Sequence, residues 1–311
     1  MSIETPTVAS GAVHRSLKRT GPHWPSLIFQ GLLAFSLLFT LLALLFLLVD
    51  VLNRGLPVFT ERGMDFLTSP LSSDPTKAGV SQALWGTFWI GVITAVVAFP
   101  LGVATAIYLE EYAAGSRLTR IVDVNIRNLA GVPSIVYGLL GLAVFVGVFK
   151  ALNIGNGRNV IAGGVTVAVL VLPIVIITAA EALRAVPIAI REAGYGVGAS
   201  RWQVTRQLVL PAAFPGILTG IVLSLSRALG EAAPLILAGA VLGSYSSGGA
   251  DLVGQLVGPY TALPIVVYRW TTLPQEEFRQ LAAAGMIVLL VITFIANGLA
   301  IYLRNKYSRS W

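Results

Sequence analysis

The feature that most constrains the fold is an uninterrupted apolar run near the N-terminus. Twenty-three residues, Leu27–Val49, contain no charged side chain and only one amide, Gln30. A helix that crosses the hydrocarbon core of a bilayer needs about 20 mostly apolar residues. The run is too long for the apolar core of a cleavable signal peptide, and no small-residue cleavage site follows it. It therefore predicts a first membrane span.

Five further apolar runs have the length of a membrane span. Apolar residues make up 56% of the 311 residues and charged residues only 11%, whereas soluble domains carry about 25% charged residues. A soluble fold could not cover its surface with so little charge, so an all-α membrane protein is predicted. The predicted spans are Leu27–Val49, Leu84–Tyr108, Asn128–Phe149, Val160–Ala180, Gly216–Leu242 and Leu281–Leu303.

The distribution of basic residues indicates how the spans are oriented. Six spans place both termini on one side, where 13 Lys and Arg residues lie, against seven on the other side and Arg227 inside the fifth span. Loops rich in Lys and Arg stay in the cytoplasm, so both termini are predicted to be cytoplasmic. Arg62–Gln82 would then be an ordered outward-facing loop. The Gly, Ser and Pro content of the outward-facing stretch Gly243–Pro274 forbids a seventh span.

Missing residue types exclude several kinds of site. The chain has no Cys, and its two His residues, His14 and His23, lie in the polar N-terminal tail. Disulfides, thiolate nucleophiles and a Cys or His metal site in the apolar body are therefore excluded. No Lys follows a Gly, so there is no phosphate-binding P-loop, and ATP would have to bind another subunit. The net charge of +7 is attributed to cytoplasmic loops and not to nucleic-acid binding.

The segment between spans four and five predicts a helix–turn–helix outside the membrane. Residues 181–197 are compatible with a helix, and Gly198 suits the left-handed position that ends one. Ser200 is a favourable N-cap for a second short helix, which Pro211 is expected to end. The surface of this hairpin would carry Arg201, Trp202 and Arg206. The pattern favours a docking element, with a plain amphipathic connector as the alternative.

This segment resembles the EAA signature of permease subunits in bacterial ABC importers. The signature reads Glu-Ala-Ala, three residues, Gly, nine residues, then Ile-x-Leu-Pro, and its spacing fits here at every position. Gly194 stands in place of the second Ala, and Leu208 in place of the Ile. The resemblance implies the six-helix, MetI-like transmembrane domain of type I ABC importers. It assigns contact with the ATPase to Glu192, Ala193, Gly194, Gly198, Arg201, Trp202, Leu208, Leu210 and Pro211.

Further stretches narrow the resemblance to permeases of the phosphate-specific (Pst) importer, closest to the PstA type. The resemblance covers about residues 80–303. The family usually has Thr at the position of Ala232, so one hydroxyl beside Arg227 and Glu231 is missing here. The matching stretches are Pro100–Gly102, Ile107–Tyr112, Ala130–Gly138, Ser226–Leu235, Leu263–Pro264 and Pro274–Phe278.

Arg227 is the strongest candidate for a residue on the substrate path. It lies about eleven residues into the predicted fifth span, roughly 16 Å along a helix and close to the bilayer midplane. An intramembrane Arg is costly and marks an ion or substrate path by default, and guanidinium matches an oxyanion with two parallel hydrogen bonds. Glu231 is predicted on the same helical face. The pair could contact the anion or be purely structural, and only the family resemblance specifies phosphate.

Three other features have structural interpretations. Glu110 and Glu111, at the end of span two, are predicted to be solvated charges at a helix end, with a site as the alternative. Gly216 and Gly220 have the small-xxx-small spacing that lets helices approach closely. Pro133 is expected to break or start a helix.

The resemblance also implies the rest of the transporter. This chain would pair with a second, PstC-type permease, a PstB-type ATPase dimer would dock at the cytoplasmic face, and a PstS-type phosphate-binding protein would dock outside. The chain itself would bind no cofactor and would not be an enzyme, since ATP and Mg would lie on the ATPase. It would be a bacterial inner-membrane protein in contact with lipid. Its parts would be tails at 1–25 and 304–311, a permease domain at 26–303 and a coupling loop at 181–211.

Other functions remain open at this point. A permease for sulfate, molybdate or phosphonate would share the Arg–Glu pair. A stand-alone secondary transporter usually has more spans and detectable repeats, and no repeat of fixed period occurs in this sequence. A membrane-embedded enzyme would need His, Cys or clustered carboxylates at one depth.

Overall fold

The chain is helical along nearly all of the residues that the computed structural model describes, which are 24–113, 115–154, 156–240 and 252–307. Helices suit these apolar stretches because a helix satisfies its backbone hydrogen bonds internally, as lipid requires. The helices in chain order are α1 (Trp24–Arg62), α2 (Asp65–Thr68), α3 (Ser81–Ile107, extended by a π-turn at Tyr108–Tyr112), α4 (Arg117–Ala130), α5 (Ser134–Leu140, extended by a π-turn at Gly141–Val146), α6 (Gly147–Ala151), α7 (Val160–Arg184), α8 (Ile188–Gly196), α9 (Arg201–Val204, extended by a π-turn at Thr205–Val209), α10 (Leu210–Gly230), α11 (Ala233–Leu237), α12 (Leu252–Val257), α13 (Leu263–Thr272) and α14 (Glu276–Tyr307).

Within the described residues, six helical segments are long and apolar enough to cross a membrane, which confirms the predicted number of spans. They are Trp24–Arg62, Ser81–Tyr112, Ser134–Ala151, Val160–Arg184, Arg201–Gly230 and Glu276–Lys306. The first, second, fourth and sixth of these contain the predicted runs. Residues 1–23 and 308–311, which hold most of the predicted tails, lie outside the described residues.

The third span begins later than predicted. Residues 128–130 belong to α4, a separate helix that ends at Ala130. Pro133 is the N-cap residue of α5, as expected for a residue that has no N–H to contribute to the preceding helix. The prediction that Pro133 starts a helix is therefore confirmed, and the predicted start at Asn128 was wrong.

The fifth span ends at Gly230, so the prediction of one span from Gly216 to Leu242 was wrong. Glu231 is extended, with φ −79° and ψ 120°, and Pro234 lies in the first turn of the short helix α11. A proline has no N–H, and its ring clashes with the carbonyl four residues earlier. That carbonyl belongs here to Gly230, so the helix stops at this residue. Residues 241 and 242 lie outside the described ranges.

The chain divides into two compact units, residues 1–50 and 51–311. The described part of the first unit, residues 24–50, is an apolar helical stretch. The second unit has three buried clusters along its length. Representative members are Phe66 and Trp270 in one cluster, Val167 and Leu235 in the next, and Leu183 and Val204 in the third.

Small residues bring the fourth and fifth spans together. A Cβ built on Gly216 would lie 2.7 Å from the Cβ of Ala182, and a Cβ on Gly220 would overlap the hydroxyl of Thr178. No larger side chain fits at either glycine without moving α7. The predicted role of this glycine pair in close packing is therefore confirmed.

The segment between α1 and α3 is ordered, as predicted. Arg62 donates to the carbonyl of Ala78 at 2.7 Å, and Phe66 is fully buried. A hydrogen bond from the hydroxyl of Thr76, at 2.7 Å, lowers the pKa of Asp74. In the segment between α12 and α13, Tyr260 is fully buried, and this burial raises the pKa of its hydroxyl.

Candidate coupling loop and substrate path

The loop between the fourth and fifth spans contains two helices, but the first begins later than predicted. α7 ends at Arg184, and α8 begins at Ile188 with Pro187 as its N-cap residue. The expected continuous helix over residues 181–197 was therefore wrong. Pro187 cannot donate a hydrogen bond to the carbonyl of Leu183, and its ring would clash with that carbonyl in a helix. The chain turns at this point, and α8 is free to take its own direction.

The turn between α8 and α9 has the predicted geometry. Gly198 has φ +81°, in the left-handed region, and its amide donates to the carbonyl of Tyr195 at 2.9 Å. Ser200 is the N-cap of α9, and its hydroxyl accepts a hydrogen bond from the amide of Gln203. The side chain of Gln203 in turn accepts from the amide of Ser200 at 2.8 Å. This reciprocal capping box fixes where the second helix begins.

Pro211 does not end the second helix, contrary to the prediction. The π-turn Thr205–Val209 is wider than an α-helical turn, because the amide of Leu210 bonds to the carbonyl of Thr205, five residues back. The helix continues through Pro211, which lies in the first turn of α10. As a result, the loop continues directly into the fifth span.

The loop residues assigned to ATPase contact divide into an exposed group and a packed group. Trp202 is 58% exposed, and the guanidinium of Arg201 lies 5.8 Å from the ring centre of Tyr112. Gly194 is buried, and Leu208 and Leu210 are half-buried. The exposed group consists of Glu192, Ala193, Gly198, Arg201, Trp202 and Pro211. Only this exposed group is available to a partner, while the others shape the loop.

The two departures from the EAA signature contact each other. A Cβ built on Gly194 would lie 2.8 Å from Cδ1 of Leu208 and 2.8 Å from Cγ2 of Val204. Both distances are below those that packed carbon atoms adopt. Leucine carries its branch one carbon farther from the backbone than isoleucine. The missing methyl at Gly194 therefore makes room for Leu208, and the two departures compensate.

A double-mutant cycle can test this compensation. Gly194→Ala should destabilise the loop by about 1–3 kcal/mol through overpacking, even though Ala normally favours a helix over Gly by roughly 1 kcal/mol. Leu208→Ile should restore part of that loss in the double variant, since the contact with Val204 would remain. Thermal unfolding of the purified protein in detergent would measure the effect. Gly196→Ala is the matched control, since a Cβ there meets nothing within 4 Å. If the two substitutions had strictly additive effects on thermal unfolding, Gly194 and Leu208 would not compensate for each other.

A buried ion pair next to the loop was not predicted from the sequence. Nη2 of Arg191 lies 2.7 Å from Oε1 of Glu111, whose side chain is only 4% exposed. Arg191 also donates to the carbonyls of Val186 at 2.8 Å and Leu183 at 2.9 Å. These carbonyls lie at the turn that Pro187 introduces. One side chain therefore joins α8 to the end of α7 and to the π-turn that follows α3.

A second ion-pair network lies beside the first. Arg184, in the last turn of α7, pairs with Glu110 and lies 3.9 Å from Oδ1 of Asp123 in α4. The prediction that Glu110 and Glu111 are solvated helix-end charges was therefore wrong. The ends of α3, α4 and α7 meet at this point and place arginines against the carboxylates. These pairs were missed because the partners are 74 and 80 residues apart in the chain.

Arg227 and Glu231 form an ion pair at the end of the fifth span. Nε of Arg227 lies 3.2 Å from Oε1 of Glu231. Arg227 is in the last turn of α10, whereas Glu231 follows the helix in an extended conformation. The side chains meet as expected, but the prediction that they share one helical face was wrong. The side chain of Arg227 is 47% exposed and that of Glu231 only 16%, so the cation is the more accessible partner.

Arg227 belongs to an exposed stripe along α10. From Gly216 onward, every third or fourth residue of the helix is exposed, while Ser224 and Ala228 beside them are buried. The stripe consists of Gly216, Thr219, Leu223, Arg227 and Gly230. Arg227 is the single charged member of these five.

Two of the stretches that carry the family resemblance meet beside this pair. A Cβ built on Gly138 of α5 would lie 2.7 Å from Cα of Pro234, so only glycine allows this approach. The hydroxyl of Tyr137 donates to the carbonyl of Leu129 at 2.9 Å, which joins α5 to the end of α4. The break that contains Glu231 is therefore packed against the third span.

The chain is similar to known proteins over most of its length. The sequence pattern of the family described as "binding-protein-dependent transport system inner membrane component" matches residues 98–309. The chain is 35% identical to the probable ABC transporter permease protein YqgH of Bacillus subtilis, over 81% of this chain and 82% of that protein. It is 33% identical to the phosphate transport system permease protein PstA 1 of Mycobacterium tuberculosis, over 84% and 82% respectively.

Solved structures show the same fold at low sequence identity. A bacterial ABC transporter involved in the import of alginate superposes with a TM-score of 0.55 at 15% identity, covering 93% of this chain and all of that one. The MetNI methionine ABC transporter superposes with a TM-score of 0.54 at 19% identity, covering 74% and 95%. With these structural neighbours and the family match over two thirds of its length, the chain belongs to the binding-protein-dependent inner-membrane components and is an ABC-importer permease subunit related to the PstA type.

Proposed function

We propose that this chain is a permease subunit of an ATP-driven importer that moves inorganic phosphate across the inner membrane. The observation that carries the proposal is Arg227, a permanently charged guanidinium on the exposed stripe of α10. Phosphate is named in the curated description of several relatives, which are 31–34% identical to this chain.

Arg227 and Glu231 together suit an anion that binds weakly and leaves. A guanidinium offers an oxyanion two parallel hydrogen bonds, and half of the Arg227 side chain is accessible. Glu231 already occupies part of this donor set at 3.2 Å and repels a second anion. The pair would therefore offset the dehydration of a passing phosphate without trapping it.

The coupling function is assigned to the loop at residues 181–211. Its exposed residues Arg201 and Trp202 would dock into a PstB-type ATPase dimer, which would hold ATP and Mg. Because the loop continues through the π-turn into α10, a displacement of the docked helices would be transmitted to the span that carries Arg227. A PstC-type second permease and an external PstS-type phosphate-binding protein would complete the complex.

The experiment that tests this function is anion uptake by the assembled complex in proteoliposomes loaded with ATP. We expect uptake of phosphate that depends on ATP and on the external binding protein, with no comparable uptake of sulfate, molybdate or phosphonate. Uptake of one of those anions in place of phosphate would establish the alternative importer. Uptake without ATP would contradict the importer class altogether.

The proposed orientation places both termini, and tails at residues 1–25 and 304–311, in the cytoplasm around a permease domain at 26–303. A single cysteine at Ser2 or Ser310 should resist a membrane-impermeant thiol reagent in intact cells, whereas one at the exposed Ser73 should react. The chain has no native Cys, so each label reports one site. Permeabilised cells provide the control, since all three sites should then react. Labelling of the terminal sites from outside would reverse the topology.

A further inference from the structure

The helix α4 has apolar side chains that the described residues of its own unit leave exposed. Leu118 is 70% exposed and Ile121 is 59% exposed, and Leu129 on the same side is exposed as well. The same apolar side continues to Ile126, which is buried in a cluster with Leu183. The helix is therefore amphipathic, and its apolar side is buried at Ile126 but exposed at Leu118, Ile121 and Leu129.

Arginines flank the exposed apolar face. Arg117 and Arg120 are both exposed, and neither forms an ion pair within the described ranges. The acidic residue of the helix, Asp123, is engaged internally, because it accepts from Arg127 at 3.1 Å and faces Arg184 at 3.9 Å. The outer side of α4 thus carries a net positive charge with no internal counter-ion.

The position of α4 brings this face to the boundary of the membrane. The helix connects the π-turn that ends the second span to Ser134, where the third span begins. Its 14 residues extend about 21 Å and are too few to cross the hydrocarbon core, which takes about 20 residues. A helix of this kind, with Leu and Ile on one face and Arg beside them, is typical of the interface between acyl chains and headgroups.

We infer that α4 lies in the headgroup layer and binds anionic phospholipids, with Arg117 and Arg120 on the lipid phosphates and Leu118 and Ile121 among the upper acyl chains. Guanidinium binds phosphate oxygens with two parallel hydrogen bonds. The unpaired arginines favour an anionic lipid over a neutral one. The inference rests on the proposed function only for the assignment of this face to the cytoplasmic leaflet.

Lipid quenching at a single labelled site tests the inference. The full chain with its co-purified subunits, carrying Ile121→Cys labelled with bimane, would be reconstituted in vesicles of phosphatidylcholine and phosphatidylglycerol. In separate samples, one of the two lipids is brominated. We expect brominated phosphatidylglycerol to quench the bimane fluorescence at a lower mole fraction than brominated phosphatidylcholine does. Added inorganic phosphate should not reverse this preference, which separates a headgroup site from a site for the free ion.

Variants that lack Arg117 and Arg120 test whether these residues cause the preference for the anionic lipid. Arg117→Gln with Arg120→Gln should lower the preference for the anionic lipid by roughly fivefold for each arginine removed. Arg279→Gln, at the start of the sixth span, is the matched control and should leave the preference unchanged. Leu118→Cys provides a second labelling site if the cysteine at position 121 prevents folding. Neither phosphate transport nor ATP enters the readout, so a failure of the proposed transport function would not affect it.

Two outcomes would overturn the inference. Equal quenching by the two brominated lipids would show that the arginines select no headgroup. Absence of quenching by either lipid, together with photo-cross-linking from position 121 to another subunit, would show that the second permease covers this face.

Discussion

Replacing Arg191 with Met should uncouple ATP hydrolysis from transport, because it removes the residue that joins the coupling loop to two spans. Glu111 would be left buried without its partner, and breaking a buried ion pair in this way typically costs about 3–5 kcal/mol. The carbonyls of Leu183 and Val186 would also lose their donor. The helix α8 could then move without displacing α3 and α7.

The ratio of ATP hydrolysed to phosphate transported in proteoliposomes measures this effect. We expect the ratio to rise by at least about tenfold, since a change of 1.4 kcal/mol already corresponds to tenfold. Arg184→Met is the matched control, because its side chain is 46% exposed and exposed pairs contribute only about 0–1 kcal/mol. Glu111→Gln, which keeps one acceptor oxygen, should be intermediate. Equal ratios in the Arg191 and Arg184 variants would remove the coupling role of the buried pair.

The double variant Arg227→Gln with Glu231→Gln should assemble normally and yet transport little phosphate. Removing both charges leaves neither partner unpaired, so a purely structural pair would be dispensable. A substrate role requires the cation, because it offsets the dehydration of the anion on the exposed stripe of α10. Losing one hydrogen bond to a charged group, at about 1.5–3 kcal/mol, should lower uptake by roughly 10- to 100-fold.

A single variant separates a substrate role of Arg227 from a purely structural one. Arg227→Lys keeps the charge but not the two parallel hydrogen bonds, so it should retain more uptake than the double variant. Size-exclusion chromatography of the complex with its partner subunits would establish assembly in each case. Uptake near the wild-type rate in the double variant would leave Arg227 with a structural role alone.

The helix boundaries that hydropathy predicted wrongly lie close to prolines. The helix α7 ends three residues before Pro187 and α10 ends four residues before Pro234, whereas the helix continues through Pro211, which follows a π-turn. The clash of a proline ring with the carbonyl four residues earlier does not stop the helices that contain Pro57, Pro100, Pro173 and Pro215, so proline positions alone do not tell which helices break. The π-turn at Thr205–Val209 has no recognisable signal in the sequence either.

The sequence by itself determined the features that depend on neighbouring residues. The six spans follow from apolar runs, the turn at Gly198 from the conformational freedom of glycine, and the start of α9 from the hydroxyl of Ser200 and the amide of Gln203. Only the tertiary structure decided which distant groups meet. Glu111 contacts Arg191 across 80 residues, and Gly194 makes room for Leu208. Such contacts depend on how helices pack in space, and no local pattern of residue types contains that information.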